Sequence, residues 1–187
     1  MRKIYEYGGI AASIVLIVFG VGAIVAGISG RDQVRSNLAR EQIVGTPDMK
    51  GVANKKIDTG SEAKQFAAGM RVHALEATGG KTYAEMPRFA GKNGTPTNDQ
   101  KQAALDPKSG KPVDNPARNI WVTETALTTA LNTSYFAEQV SLFSIVMGFA
   151  LLLTGIGFGV VTGRVLHRQG SESTARAPKA TAQAVTS

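Results

Sequence analysis

Two stretches of this chain carry no charge for more than twenty residues each, and they fix most of what it can become. From Gly8 to Ile28, the residues Ile10, Ile14, Val15, Leu16, Ile17, Val18, Phe19, Val21, Ile24 and Val25 place apolar groups on every helical face. From Val140 to Val161 the pattern recurs through Leu142, Phe143, Ile145, Val146, Met147, Phe149, Leu151, Leu152, Leu153, Ile156 and Phe158. A helix that is apolar all round belongs in lipid, and ~20 residues at 1.5 Å each cross the ~30 Å hydrocarbon layer. The chain is 43% hydrophobic, yet its mean hydropathy is only −0.05, since the polar remainder of the chain offsets these two apolar runs.

The runs divide the chain into a cytoplasmic N-terminus (1–7), a first membrane helix (8–29), a polar segment of about 110 residues (30–139), a second membrane helix (140–163) and a disordered cytoplasmic tail (164–187). The first run reads as an uncleaved anchor. A signal-peptide core is ~7–15 residues, and Ile24 to Gly30 offers no clean small-x-small cleavage site. No Lys or Arg occurs between Arg118 and Arg164, whereas Arg164 and Arg168 follow the second run at once. The positive-inside rule then puts both termini in the cytoplasm of a plasma-membrane protein and the polar segment outside. Arg31, Arg35 and Arg40 on the outer flank of the first run go against that rule, but long translocated segments largely escape it.

Composition excludes several chemistries. With no cysteine there are no disulfides, thiolate metal sites or cysteine nucleophiles. The net charge of +7 is spread as +1 before the first run, +3 over residues 31–140 and +3 in the tail, so no segment is basic enough to suggest nucleic acid.

Local signals in the polar segment are helical. Residues 30–43 continue the first helix, with Val34 and Leu38 on one side, and Gly45, Thr46 and Pro47 stop it. Thr59 with Glu62 is a capping-box pattern. The helix it opens carries Phe66, Met70, His73 and Ala77 as a stripe, and Gly79 and Gly80 end it. A short helix is expected near Asp99 to Leu105. Asn115 before Pro116 is an N-cap and first-turn pair, and nothing afterwards breaks a helix until the second run ends. On that helix Ile120, Leu127, Leu131 and Tyr135 share a face, which predicts packing against Val34 and Leu38. Trp121 lies too far from the membrane for an interface residue and reads as a core anchor. No stretch alternates as a strand would. The expected fold is all-α: two transmembrane helices as an antiparallel hairpin, extended outward and capped by a small helical extracytoplasmic domain.

The strongest motif is the small-residue run Gly155, Gly159 and Gly163, with Gly148 before it and Gly22 and Ala26 in the first span. Glycines a turn apart let helix backbones approach where lipid removes the hydrophobic drive, so these six residues mark helix packing or an oligomer interface. His73 and Glu76, at i and i+3, are the one pair suited to acid/base or metal chemistry. Two groups do not make a site, and the only other histidine, His167, is expected across the membrane. The many carboxylates are interleaved with Lys and Arg as on a solvated face. Glu138, close to the second span, reads as the point where water begins.

The stretches Ala117-Arg118-Asn119-Ile120-Trp121-Val122-Thr123-Glu124-Thr125-Ala126-Leu127 and Met70-Arg71-Val72-His73-Ala74-Leu75-Glu76 resemble an uncharacterised family of two-span membrane proteins from actinobacteria. The similarity covers most of residues 1–163 and implies the two-span topology and a bacterial origin. Members are often labelled aromatic ring-opening dioxygenases. The chain gives that label no support, because a facial iron site needs two histidines and a carboxylate together.

The expectation is a non-enzymatic membrane protein without a cofactor. Its outer domain would bind another envelope protein or a second copy of itself, and its spans would sit in the bilayer. A small-ligand sensor or transport accessory is the first alternative, and a membrane-bound envelope enzyme the second.

Overall fold

The computed structural model describes the backbone of residues 2–175 and the side chains of residues 7–165. Among the described residues three helices follow in order: α1 (Arg2–Arg40), α2 (Gly60–Ala77) and α3 (Pro116–Ala175). Among the described residues there is no strand, only isolated bridges. The tail expected to be disordered falls partly on α3, which runs on through Gly170 to Ala175; residues 176–187 lie outside the described residues, and the side chain of His167 outside the described side chains. The chain forms two compact units, one from Met1–Ile28 and Leu142–Ser187, the other from Ser29–Ser141.

In the first unit, α1 and α3 are long and apolar enough to cross a membrane. Only 11% of the most apolar window of each helix is buried, whereas a core helix of a soluble protein would be mostly covered. Val18, Phe19, Val25, Phe143, Leu153 and Val161 are all more than half exposed. That much uncovered apolar surface suits lipid rather than water.

What the two helices bury against each other is small. A Cβ added to Gly20 would stand 2.7 Å from the Leu152 amide nitrogen, and one added to Gly148 would stand 2.7 Å from the Gly20 carbonyl oxygen. Ser13 Oγ donates a 2.6 Å hydrogen bond to the Gly155 carbonyl. Gly155 meets Ile17, Gly159 meets Ser13, and Gly9 meets Thr162. Positions descend along α3 as they ascend along α1, so these stretches are antiparallel. Gly163 and Gly22 have nothing near where a Cβ would stand, and Ala26 is exposed.

The second unit is built around two small apolar clusters. Leu38 of α1, Met49, Val52 and Ile57 of the following loop, Ala63 and Ala67 of α2, and Leu131 of α3 form the larger, with Val34, Phe66 and Met70 packed on it. Ala74, Met86 and Trp121 form the smaller. Trp121 is 3% exposed, and its indole N–H donates to the Lys81 carbonyl at 2.9 Å. Leu38 and Leu131 thus share one cluster, but Ile120 and Leu127 of the predicted face are exposed.

The helix ends are explained by their caps. Thr59 accepts from the Glu62 amide while Glu62 accepts from the Thr59 amide, the full capping box. Asn115 Oδ1 accepts from the Ala117 amide, and its Nδ2 donates to the Pro87 carbonyl, so one side chain starts α3 and ties down the preceding loop. The buried face of α2 is Gly60, Ala63, Ala67 and Ala74; of the predicted stripe, Phe66, Met70 and His73 lie half-buried at its edge and Ala77 is exposed. Alanines let α2 lie close to its neighbours, and the larger side chains fill the flank.

No helix forms at Asp99 to Leu105. Asp99 Oδ1 takes the Lys101 amide, which closes a turn, and Gly91 and Ala103 then pair as an isolated bridge. A side chain that bonds its own backbone two residues on competes with a helix start.

Candidate functional site

Residues 81–115 form loops joined by isolated bridges, and α2 and α3 flank them in the chain. A groove of about 550 Å³, open to solvent, runs between α2 and α3. Met70, His73, Ala74 and Ala77 line it from α2, and Pro116, Asn119, Ile120, Thr123 and Glu124 line it from α3. Apolar groups from both helices therefore flank a few polar ones.

His73 lies on this groove, but its partner is not Glu76. His73 Nε2 is 2.5 Å from Asp48 Oδ2, on a loop 25 residues earlier, whereas Glu76 is exposed on the next turn. Hydrogen bonds from Thr46 and His73 hold the Asp48 carboxyl below the usual range. Both members of the pair are accessible, His73 at 37% and Asp48 at 62%. The bond pins the Asp48 loop to α2 one residue before Met49, a member of the larger apolar cluster. The i, i+3 spacing of His73 and Glu76 concealed this arrangement, because the true partner comes from a loop that no periodicity marks.

Glu124, also on the groove, reads in the sequence as one more solvated carboxylate among interleaved Lys and Arg. It is 5% exposed. Its carboxylate Oε2 accepts a 3.2 Å hydrogen bond from the neighbouring Thr125 hydroxyl. No Lys, Arg or His among the described residues pairs with it. Among the described residues, no three His, Asp or Glu side chains converge as metal ligands.

Fourteen residues further along α3, Glu138 presents a contrast. It is also buried, with a side chain 8% exposed, so it does not mark the edge of water as expected. Oε1 accepts from Arg35 Nε at 2.8 Å and Arg31 Nε at 3.1 Å, and Oε2 accepts from the Gly60 amide at 2.6 Å. Burial pushes the carboxyl up, but the bonds from Arg35, Arg31 and the Gly60 amide outweigh it and hold Glu138 below the usual range. Gly60 opens α2, so the carboxylate also sits at the positive end of that helix. Arg31 and Arg35, which ran against the positive-inside rule, are the counter-ions of a buried acid.

No family model matches the chain, and no curated protein or solved structure is significantly similar to it.

Proposed function

We propose that this chain is a non-enzymatic membrane protein of the bacterial envelope, of the actinobacterial two-span type it resembles. In this reading α1 and α3 cross the plasma membrane as an antiparallel hairpin that extends outward. Both termini are cytoplasmic, and the helical segment of residues 30–139 is extracytoplasmic and docks another envelope protein. The observation that carries the docking is the groove between α2 and α3: open rather than enclosed, apolar along both walls, with polar groups gathered on its α3 side. A site for a small ligand covers most of that ligand's surface, whereas an open groove suits a segment of polypeptide. The hydrogen bond that ties His73 to Asp48 supports a structural role for the histidine. Pairing of Arg31 and Arg35 with Glu138 supports the outward orientation, since it relieves the one charge pattern that opposed it.

A second copy or another membrane helix has a different face available. Gly22 and Ala26 lie on the side of α1 away from its contacts with α3, and Gly163 is equally open. These three positions can bring a further helix close.

The absence of cysteine makes the topology directly testable. A membrane-impermeant maleimide applied to intact cells should label Thr95→Cys and leave Ser171→Cys unlabelled until the membrane is opened. The reverse pattern would overturn the orientation.

A further inference from the structure

We infer that the groove between α2 and α3 receives a lysine or arginine side chain from a segment of the docked protein, with Glu124 as its counter-ion; this deepens the docking reading above and rests on it. A charge taken out of water is unfavourable unless it is paired. The two buried carboxylates of α3 show the difference. Glu138 has two arginines and an amide, while Glu124, equally buried, has one neutral hydroxyl. Cations and potential cations nearby are otherwise engaged: Arg71 lies over the Trp121 ring at 5.1 Å, and His73 is bonded to Asp48.

The free oxygen also has a direction. Every fully buried polar side-chain atom among the described residues has a hydrogen-bond partner. Glu124 Oε1 accepts no such bond, so it is the oxygen that solvent reaches, and the surface Glu124 contributes to is the groove. Around it, Met70, Ala74, Ala77 and Ile120 match the aliphatic stem of a basic side chain, whose charged head alone needs polar company. Asn119 and Thr123 supply further acceptors for its N–H groups.

The test places a photo-crosslinking benzoylphenylalanine at Ala77, an exposed position on the groove wall, in the full-length protein in its native membrane. The captured peptide is then sequenced. The expected result is a segment of one envelope protein with a Lys or Arg within about one helical turn of the crosslink. Glu124→Gln should lower the yield at least about tenfold, and Glu124→Asp should keep part of it. Melting of Glu124→Gln should be unchanged, because no internal cation is lost. If Glu124→Gln melts lower, Glu124→Lys combined with an acidic residue at the captured basic position replaces it, and restored yield is the supporting result. An unaltered yield, or a captured segment without a basic residue, overturns the counter-ion role and leaves docking standing. Crosslinks only to lipid or to a second copy overturn the proposed occupant. Capture from other outer positions but none from Ala77 overturns the groove itself.

Discussion

Glu138 and Arg35, 103 residues apart in sequence, are joined by a 2.8 Å hydrogen bond, and the same carboxylate holds the first amide of α2. Removing a buried carboxylate leaves two guanidinium groups without a partner and a helix N-terminus without an acceptor. Glu138→Ala should therefore destabilise the polar segment by about 2–4 kcal/mol. Arg35→Ala should have a smaller effect, about 1 kcal/mol, since Arg35 is partly exposed and Arg31 remains. Chemical unfolding in detergent, followed by the emission of Trp121, the only tryptophan, measures both. Equal effects would mean that the network does not converge on Glu138.

Acid should unfold the same unit in a defined window. Glu138 and Asp48 are both held below their usual range in the folded state. Glu62 is too, where burial pushes up but bonds from Thr59 and the Asp58 amide prevail. A carboxylate with a depressed folded pKa adds stability that is fully present above its unfolded value, about 4, and is lost as pH falls through the folded value. Melting temperature should hence be flat from about pH 7 to 5 and decline below about pH 4. Glu138→Gln should make that decline shallower.

The capping box gives a cleaner local test. Thr59→Ala removes the acceptor for the Glu62 amide and should lower stability by about 1 kcal/mol, with Thr59→Ser recovering most of it. A loss in Thr59→Ala that Thr59→Ser does not recover would show that the threonine methyl, not the hydroxyl, is what matters.

Two glycines two residues apart in α1 should behave oppositely. Gly20 leaves no room for a side chain beside Gly148 and Leu152, while Gly22 faces open space. Gly20→Leu should disrupt the α1–α3 contact, read as faster proteolysis or loss of a disulfide engineered between the two helices. Gly22→Leu should leave that contact intact. Should Gly22→Leu also abolish crosslinked oligomers, the outward face of α1 is an oligomer surface.

The extent to which the sequence was legible follows from which signal each feature leaves. The two apolar runs, the Thr59 cap, the Asn115-Pro116 start and the buried Trp121 rest on composition or on neighbours within four residues. The contact faces were harder. Within the first unit, Ser13, Gly20 and Gly27 are buried while valines and phenylalanines face out, so hydrophobicity marks the side of the helix away from its partner. In the polar segment, Trp121, Glu124, Leu131 and Glu138 are buried at spacings of three and seven, whereas Ile120 and Leu127 of the predicted face are exposed. A search for apolar periodicity skips a seam in which two of four members are glutamates. The bond between His73 and Asp48 joins a helix to a loop, and no spacing rule encodes it.

The order in which the chain is made gives the Glu138 junction a further meaning. Arg31, Arg35 and Gly60 are synthesised long before residue 138, and Leu131 and Trp121 complete the two apolar clusters only as the same helix emerges. Until then the earlier residues hold two unpaired cations, an amide without its acceptor, and two clusters that each lack one buried member, Leu131 in the larger and Trp121 in the smaller. The polar segment thus completes neither its buried ionic network nor either apolar cluster until α3 is made, and a chain stopped before Glu138 would expose basic and apolar groups that the finished unit covers.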